Sequence, residues 1–160
     1  MRIIGIDPGT ATTGFCILDK ENSEIKLLDY GCIKTSKDFQ DSERLKQISD
    51  DIDTLIDKWN PEKASIEKLF FNKNVKTAMS VAQARGVIIE RLENKNIKQK
   101  EYTPLQIKSA VCGYGKADKK MVQEMVRLTF GLKEIPKPDD AADAIAAALC
   151  LAHSYIEQNS

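Results

Sequence analysis

Residues 2–7, 12–19 and 24–35 are rich in Ile, Leu, Tyr and Thr, and they are separated by Pro8-Gly9 and by the polar stretch from Lys20 to Ser23. This punctuation predicts three successive strands in an antiparallel meander. From Asp41 to Trp59 the period changes: Leu45, Ile48, Ile52, Leu55, Ile56 and Trp59 fall at steps of three and four, as on an amphipathic helix, with Pro61 ending it. Lys63 to Glu67 is short and places Ala64 and Ile66 before an acid, which predicts a buried fourth strand parallel to the first. Val75 to Leu92 reads as a second long helix and Ile97 to Tyr102 as a fifth strand. Three further helices are predicted at about 104–111, 118–130 and 139–157. Strands that cluster first and then alternate with helices indicate an α/β domain built on a mixed central sheet.

The chain has 160 residues, enough for one substantial core and too few to divide comfortably into two, so a single domain over 1–160 is expected. Hydrophobic residues make up 42% and charged residues 30%, which excludes the low-hydrophobicity profile of disorder. The longest uncharged apolar run, Ala144 to Ala152, is about half of the roughly 20 residues that span a bilayer, so no membrane association is expected. The opening residues lack the charged, apolar and small-residue regions of a secretion signal, and a cytoplasmic location follows as the expectation. Cys16, Cys32, Cys112 and Cys150 are scattered, without a C-x-x-C pair, and read as reduced, mostly buried small hydrophobes.

Zero net charge hides a polarised chain. Between Lys98 and Arg127 seven Lys or Arg face three acids, whereas between Asp41 and Asp57 six acids face Arg44 and Lys46. Such a chain could turn one basic face to phosphates while the opposite face repels them; solvated helix surfaces are the alternative.

Three acidic positions carry the candidate chemistry. In Ile3-Ile4-Gly5-Ile6-Asp7-Pro8-Gly9-Thr10 an apolar strand ends in a carboxylate that glycines leave room beside. Glu67 ends the strand Ala64-Ser65-Ile66, and if strands one and four are parallel neighbours both carboxylates emerge at one sheet edge. Taken singly, Asp7 reads equally as a turn aspartate and Glu67 as a surface glutamate. The third position is Pro138-Asp139-Asp140-Ala141-Ala142-Asp143, a helix start in which Asp139 is explained as a cap. Asp140 and Asp143, spaced i,i+3, share a face, and the surrounding alanines let that helix approach the sheet. Burial of Asp143 is costly without a cation. Four carboxylates on two strand ends and one helix suit two Mg²⁺ ions, and the grouping suggests a nuclease.

The residues Gly5-Ile6-Asp7-Pro8-Gly9, Ile66-Glu67 followed by Phe70 and Lys73-Asn74, Gln83-Ala84-Arg85-Gly86, and Asp140-Ala141-Ala142-Asp143-Ala144 resemble the RuvC family of crossover junction endodeoxyribonucleases, in the same order and at similar spacings over essentially the whole chain. The resemblance implies an RNase H-like fold, a five-stranded mixed sheet flanked by helices. It implies Asp7, Glu67, Asp140 and Asp143 as metal-binding catalytic acids with two Mg²⁺ per site, for which Mn²⁺ can substitute. It further implies a homodimer that nicks a four-way DNA junction symmetrically, leaving 5′-phosphate and 3′-hydroxyl ends, in recombination and repair with a RuvA and RuvB branch-migration complex. Phe70 matches the family's base-stacking aromatic, with Lys73 and Asn74 beside it. Lys108 and Lys119 match backbone-contacting residues, and Lys116, Lys120 and Arg127 extend that patch. Neutral net charge departs from what a DNA-binding nuclease usually carries.

Two other functions fit parts of the pattern. Gly5 to Thr10 also resembles the phosphate loop of the sugar kinase and actin superfamily, although no second loop is present. A non-catalytic junction-binding protein would share the fold, but gains nothing from concentrated acids where phosphates approach. His153, three residues after Cys150, is expected to be structural, and Gly86 to mark a close helix contact of the kind a dimer interface can supply.

Overall fold

The structure, a computed structural model, describes residues 1–69 and 75–157. Strands β1 (Arg2–Asp7), β2 (Thr12–Glu21) and β3 (Glu24–Lys34) form the expected meander, followed by α1 (Asp41–Trp59), β4 (Lys63–Glu67), α2 (Val75–Asn94), β5 (Lys98–Tyr102), α3 (Pro104–Cys112), α4 (Lys119–Thr129) and α5 (Asp139–Glu157). The sheet order is β3-β2-β1-β4-β5, with β1 antiparallel to β2 and parallel to β4, and β4 parallel to β5. Strand β2 runs past the apolar stretch to Glu21, because Asn22 takes a left-handed conformation (φ 53°) and closes a tight hairpin in which Glu21 faces Glu24.

Helix boundaries follow the local chemistry. At the start of α1 the Gln40 N–H donates to Glu43 Oε2 (2.8 Å) in a capping box. The helix stops at Trp59, where left-handed Asn60 (φ 47°) donates its N–H to Ile56 O (2.7 Å), so the stop precedes Pro61. Thr103 caps α3 ahead of Pro104, and Gly113 closes it at φ 69°. Asp118, expected inside a helix, instead caps α4 by accepting from Met121 N (2.8 Å).

Alternation along the strands divides the core between the two sheet faces. Ile4, Ile6, Ile17, Ala64 and Ile66 pack with Ile48, Ile52 and Ile56 of α1 and Ala84, Ile88 and Leu92 of α2. Ile3, Cys16 and Leu18 pack with α3, α4 and the apolar length of α5. The acidic helix α1 and the helices α3 and α4 of the basic segment thus lie on opposite sides of the sheet.

Helix α5 lies almost directly on the strand backbones. A Cβ at Gly5 would strike Ala144 O and Ala148 Cβ, and one at Gly14 would strike Asp140 O. Cys16 Sγ donates to Ala144 O (3.4 Å) and Ser65 Oγ to Ala147 O, which fixes the helix against β1, β2 and β4. Gly5→Ala is therefore expected to lower stability by about 1–3 kcal/mol, the usual range for overpacking; a urea midpoint equal to that of the unsubstituted protein would contradict this packing.

Candidate active site

Pairing of β1 with β4 sets Ile6 opposite Ile66, so Asp7 and Glu67 follow at the same level on adjacent parallel strands. Ile6 and Ile66 belong to the core beneath α1 and α2. The two-residue alternation then turns Asp7 and Glu67 to the other face, toward α5. Asp143, one turn into α5, meets them there: Asp7, Glu67 and Asp143 line one cleft, with Lys68, Arg85 and Pro104 on its walls. Asp140 lines the adjoining cleft with Gly9, Thr10 and Thr12, and its charge acts on both Asp7 and Asp143.

Burial and mutual repulsion dominate the electrostatics. Burial, then the charges of Glu67, Asp143 and Asp140, push the Asp7 carboxyl up to about 8, against the pull of Lys119. Burial and Asp143 push Glu67 up to about 7, with Lys119 and Lys108 opposing. Burial likewise raises Asp143, opposed by Lys119. The Lys119 ammonium bridges Asp143 Oδ2 (3.1 Å) and Asp139 Oδ2 (3.2 Å), so Asp139 is an ion-pair partner as well as a first-turn acid. Lys108 and Lys119 share a further cleft with Glu67 and Asp143.

Among the described residues no three His, Cys, Asp or Glu side chains converge into a ready-made metal cage. The donor set nevertheless fits hard divalent cations: all oxygen, partly desolvated, and held together at a cost in repulsion that such an ion would offset.

Of the other sequence-derived candidates, Lys116 and Lys120 are exposed beside α4. Arg127 is engaged by Glu124 and the Leu132 carbonyl. Phe70, Lys73 and Asn74 lie outside the described residues. His153 Nδ1 lies 3.2 Å from Ala110 O on the α3 side, a packing role as expected. All four cysteines are free, but Cys32 and Cys112 are only partly buried. Gly86 is exposed, and a Cβ there would meet nothing within 4 Å, so no close helix contact forms at it within the chain. Its neighbour Arg85, to which the sequence pattern assigns no role, is the residue at the site. Its Nη2 pairs with Glu101 on β5, while its buried Nε has no partner among the described residues. Only the tertiary pairing of α2 with β5 reveals it.

A mixed five-stranded sheet with helices on both faces, and carboxylates gathered where the parallel strands end, defines a nuclease domain of the RNase H-like class. A family model described as crossover junction endodeoxyribonuclease RuvC matches residues 3–151, and the chain belongs to the RuvC family. It is 55% identical over 150 residues to a crossover junction endodeoxyribonuclease RuvC of Finegoldia magna, covering 94% of this chain and 92% of that one. To the Fusobacterium nucleatum protein of the same name it is 52% identical over 153 residues, covering 96% and 80%. The structure of T. thermophilus RuvC in complex with Holliday junction substrate superposes with a TM-score of 0.92 at 31% identity, covering 99% of this chain and 96% of that one.

The raised carboxyls carry a pH signature. A group whose folded pKa exceeds its unfolded value binds its proton more tightly when folded, so its ionisation costs stability as pH rises from about 4 toward about 8. In EDTA, Asp7→Asn is expected to raise the melting temperature at pH 8, by about 2–4 °C for each kcal/mol recovered, and to give no gain at pH 4. An equal effect at both pH values would show that Asp7 is not held against its charge.

Proposed function

We propose that this chain is a structure-selective endonuclease that resolves four-way DNA junctions by paired symmetric nicks, acting as a homodimer through a single nuclease domain. The carrying observation is the convergence of Asp7, Glu67 and Asp143 in one cleft, with Asp140 adjoining it. Membership of the RuvC family and the likeness to a relative solved with Holliday junction substrate support the substrate. The same membership sets the nucleotide-binding and purely junction-binding alternatives aside.

Asp7 and Glu67, fixed by strand register, together with Asp143 and Asp140 from α5, would hold two Mg²⁺, with Mn²⁺ able to substitute. Bound there, such ions supply the positive charge that stabilises the attacking and departing oxygens of an in-line phosphodiester displacement. The chain's own part is positional. No Ser, Cys or His side chain lines the acid cleft among the described residues, which suits water as the source of the attacking oxygen, and the family reading implies 5′-phosphate and 3′-hydroxyl ends. Lys108 and Lys119 sit beside Glu67 and Asp143, where an approaching backbone phosphate can take Lys119 from its carboxylates. Lys116 and Lys120 would extend the contact along α4. Phe70, with Lys73 and Asn74, would stack on a base opened at the point of strand exchange. Cooperation with a RuvA and RuvB branch-migration complex follows from the same family reading.

A synthetic four-way junction run on a gel with Mg²⁺ and with EDTA tests this directly. Nicking confined to the Mg²⁺ lanes is expected. Asp7→Asn should abolish it, a loss of at least about 10³-fold, while junction binding survives; binding without nicking by the unsubstituted protein would make it a binder. Phe70→Ala is expected to impair cutting more than binding, and unchanged turnover would remove Phe70 from the DNA interface.

A further inference from the structure

Lys108 and Lys119 flank the acids on the α3 and α4 side. On the α1 and α2 side stand Arg85, which pairs with Glu101, and Arg44. Arg44 belongs to α1, with Asp41 and Glu43 beside it. Lys46, on the same helix, pairs with Asp50 at 2.6 Å in the ordinary i,i+4 manner. Arg44 forms no ion pair among the described residues, although acids surround it in sequence. Its Nε donates instead to Thr35 Oγ1 (2.8 Å), just beyond β3.

That bond ties the arginine to the turn that carries Asp7. The Thr35 hydroxyl donates onward to Thr10 O (2.7 Å), and Thr10 Oγ1 donates to Ser80 O (2.7 Å). The Thr13 hydroxyl donates to Gly9 O (2.6 Å), which fixes the preceding residue. Gly9, Thr10, Thr12, Ser80, Asp140 and Arg44 line the cleft next to the acid cleft, and the two clefts share Val81. An arginine anchored through Nε keeps its two Nη groups for a planar acceptor, and a phosphate offers paired oxygens to such a fork.

A strand whose scissile phosphate lies over the carboxylates must leave the site in both directions. In the adjoining cleft Arg44 is the cation beside Asp140, and without it repulsion from Asp140 would lift the strand off there. We propose that the cleft of Gly9, Thr10, Thr12 and Arg44 is a second backbone subsite, in which Arg44 grips a non-scissile phosphate of the cut strand on the side of the acids away from Lys108 and Lys119. Thr35 is the residue that positions it. This inference rests on the nuclease reading above, and cleavage of the same junction by the unsubstituted protein in Mg²⁺ checks that reading separately.

The test is binding of a fluorescent four-way junction in EDTA over a salt series, with cleavage in Mg²⁺ alongside. Arg44→Ala should bind several-fold more weakly and flatten the plot of log K against log salt by about 0.9, the share of one phosphate. Its KM should rise more than its kcat falls. Arg44→Lys should keep the slope but lose part of the affinity, since an ammonium neutralises a phosphate without the fork. Thr35→Val, which frees the guanidinium, should fall between. Lys46→Ala should behave as the unsubstituted protein. The inference is overturned if Arg44→Ala keeps the original slope and affinity, or if Lys46→Ala weakens binding as much, which would indicate diffuse charge. A lower melting temperature with an unchanged slope would equally overturn it, by making Arg44 structural. Should Arg44→Ala not fold, unaltered affinity in both Arg44→Lys and Thr35→Val overturns it instead.

Discussion

Helix α5 lies on the backbone of β1 and β2 with nothing larger than a glycine hydrogen between them at Gly5 and Gly14, and this close approach governs the rest of the molecule. It brings Asp140 and Asp143 to the level at which β1 and β4 release Asp7 and Glu67. The alanines from Ala141 to Ala148 make the approach possible on the helix side, and Ser65 and Cys16 secure it with bonds to helix carbonyls. Packing energy from an extended apolar helix thus offsets the work of crowding like charges. The carboxyls register that work as acidities shifted toward and beyond neutrality.

Charge around the crowded acids is distributed by the same layering. The sheet separates acidic α1 from α3 and α4, so a chain of zero net charge still offers Lys108 and Lys119 to the edge where Glu67 and Asp143 lie. The neutral total therefore says little about the field at the site. Lys119 shows how local the balance is: its ammonium, tied to Asp139 and Asp143, is the ion-paired cation nearest the acids. Arg85 contributes a second positive wall, itself partly countered by Glu101.

Much of this was legible before any coordinates. Apolar periodicity and capping residues located every element to within a few positions, because α1, α3 and α4 begin and end on side chains that satisfy their own backbone. The strand-end acids were legible because two parallel strands in register must deliver their last residues to one edge. What escaped depended on tertiary placement. Arg85 finds its partner Glu101 on another element, which no local pattern shows. Arg44 counted only as a minor offset to the acids of its helix, since nothing local shows that Thr35 ties it to the turn after β1.

At the centre of the site, burial and mutual repulsion make these carboxyls hold their protons more tightly, and the proposed divalent cations would displace them. Calorimetric titration of Mg²⁺ into the protein at pH 7, repeated in buffers of different ionisation enthalpy, measures that exchange without reference to DNA. With Asp7 pushed up to about 8, binding should be accompanied by release of a substantial fraction of a proton, lost in Asp7→Asn. Mg²⁺ binding with no proton released, or release undiminished in Asp7→Asn, would contradict it.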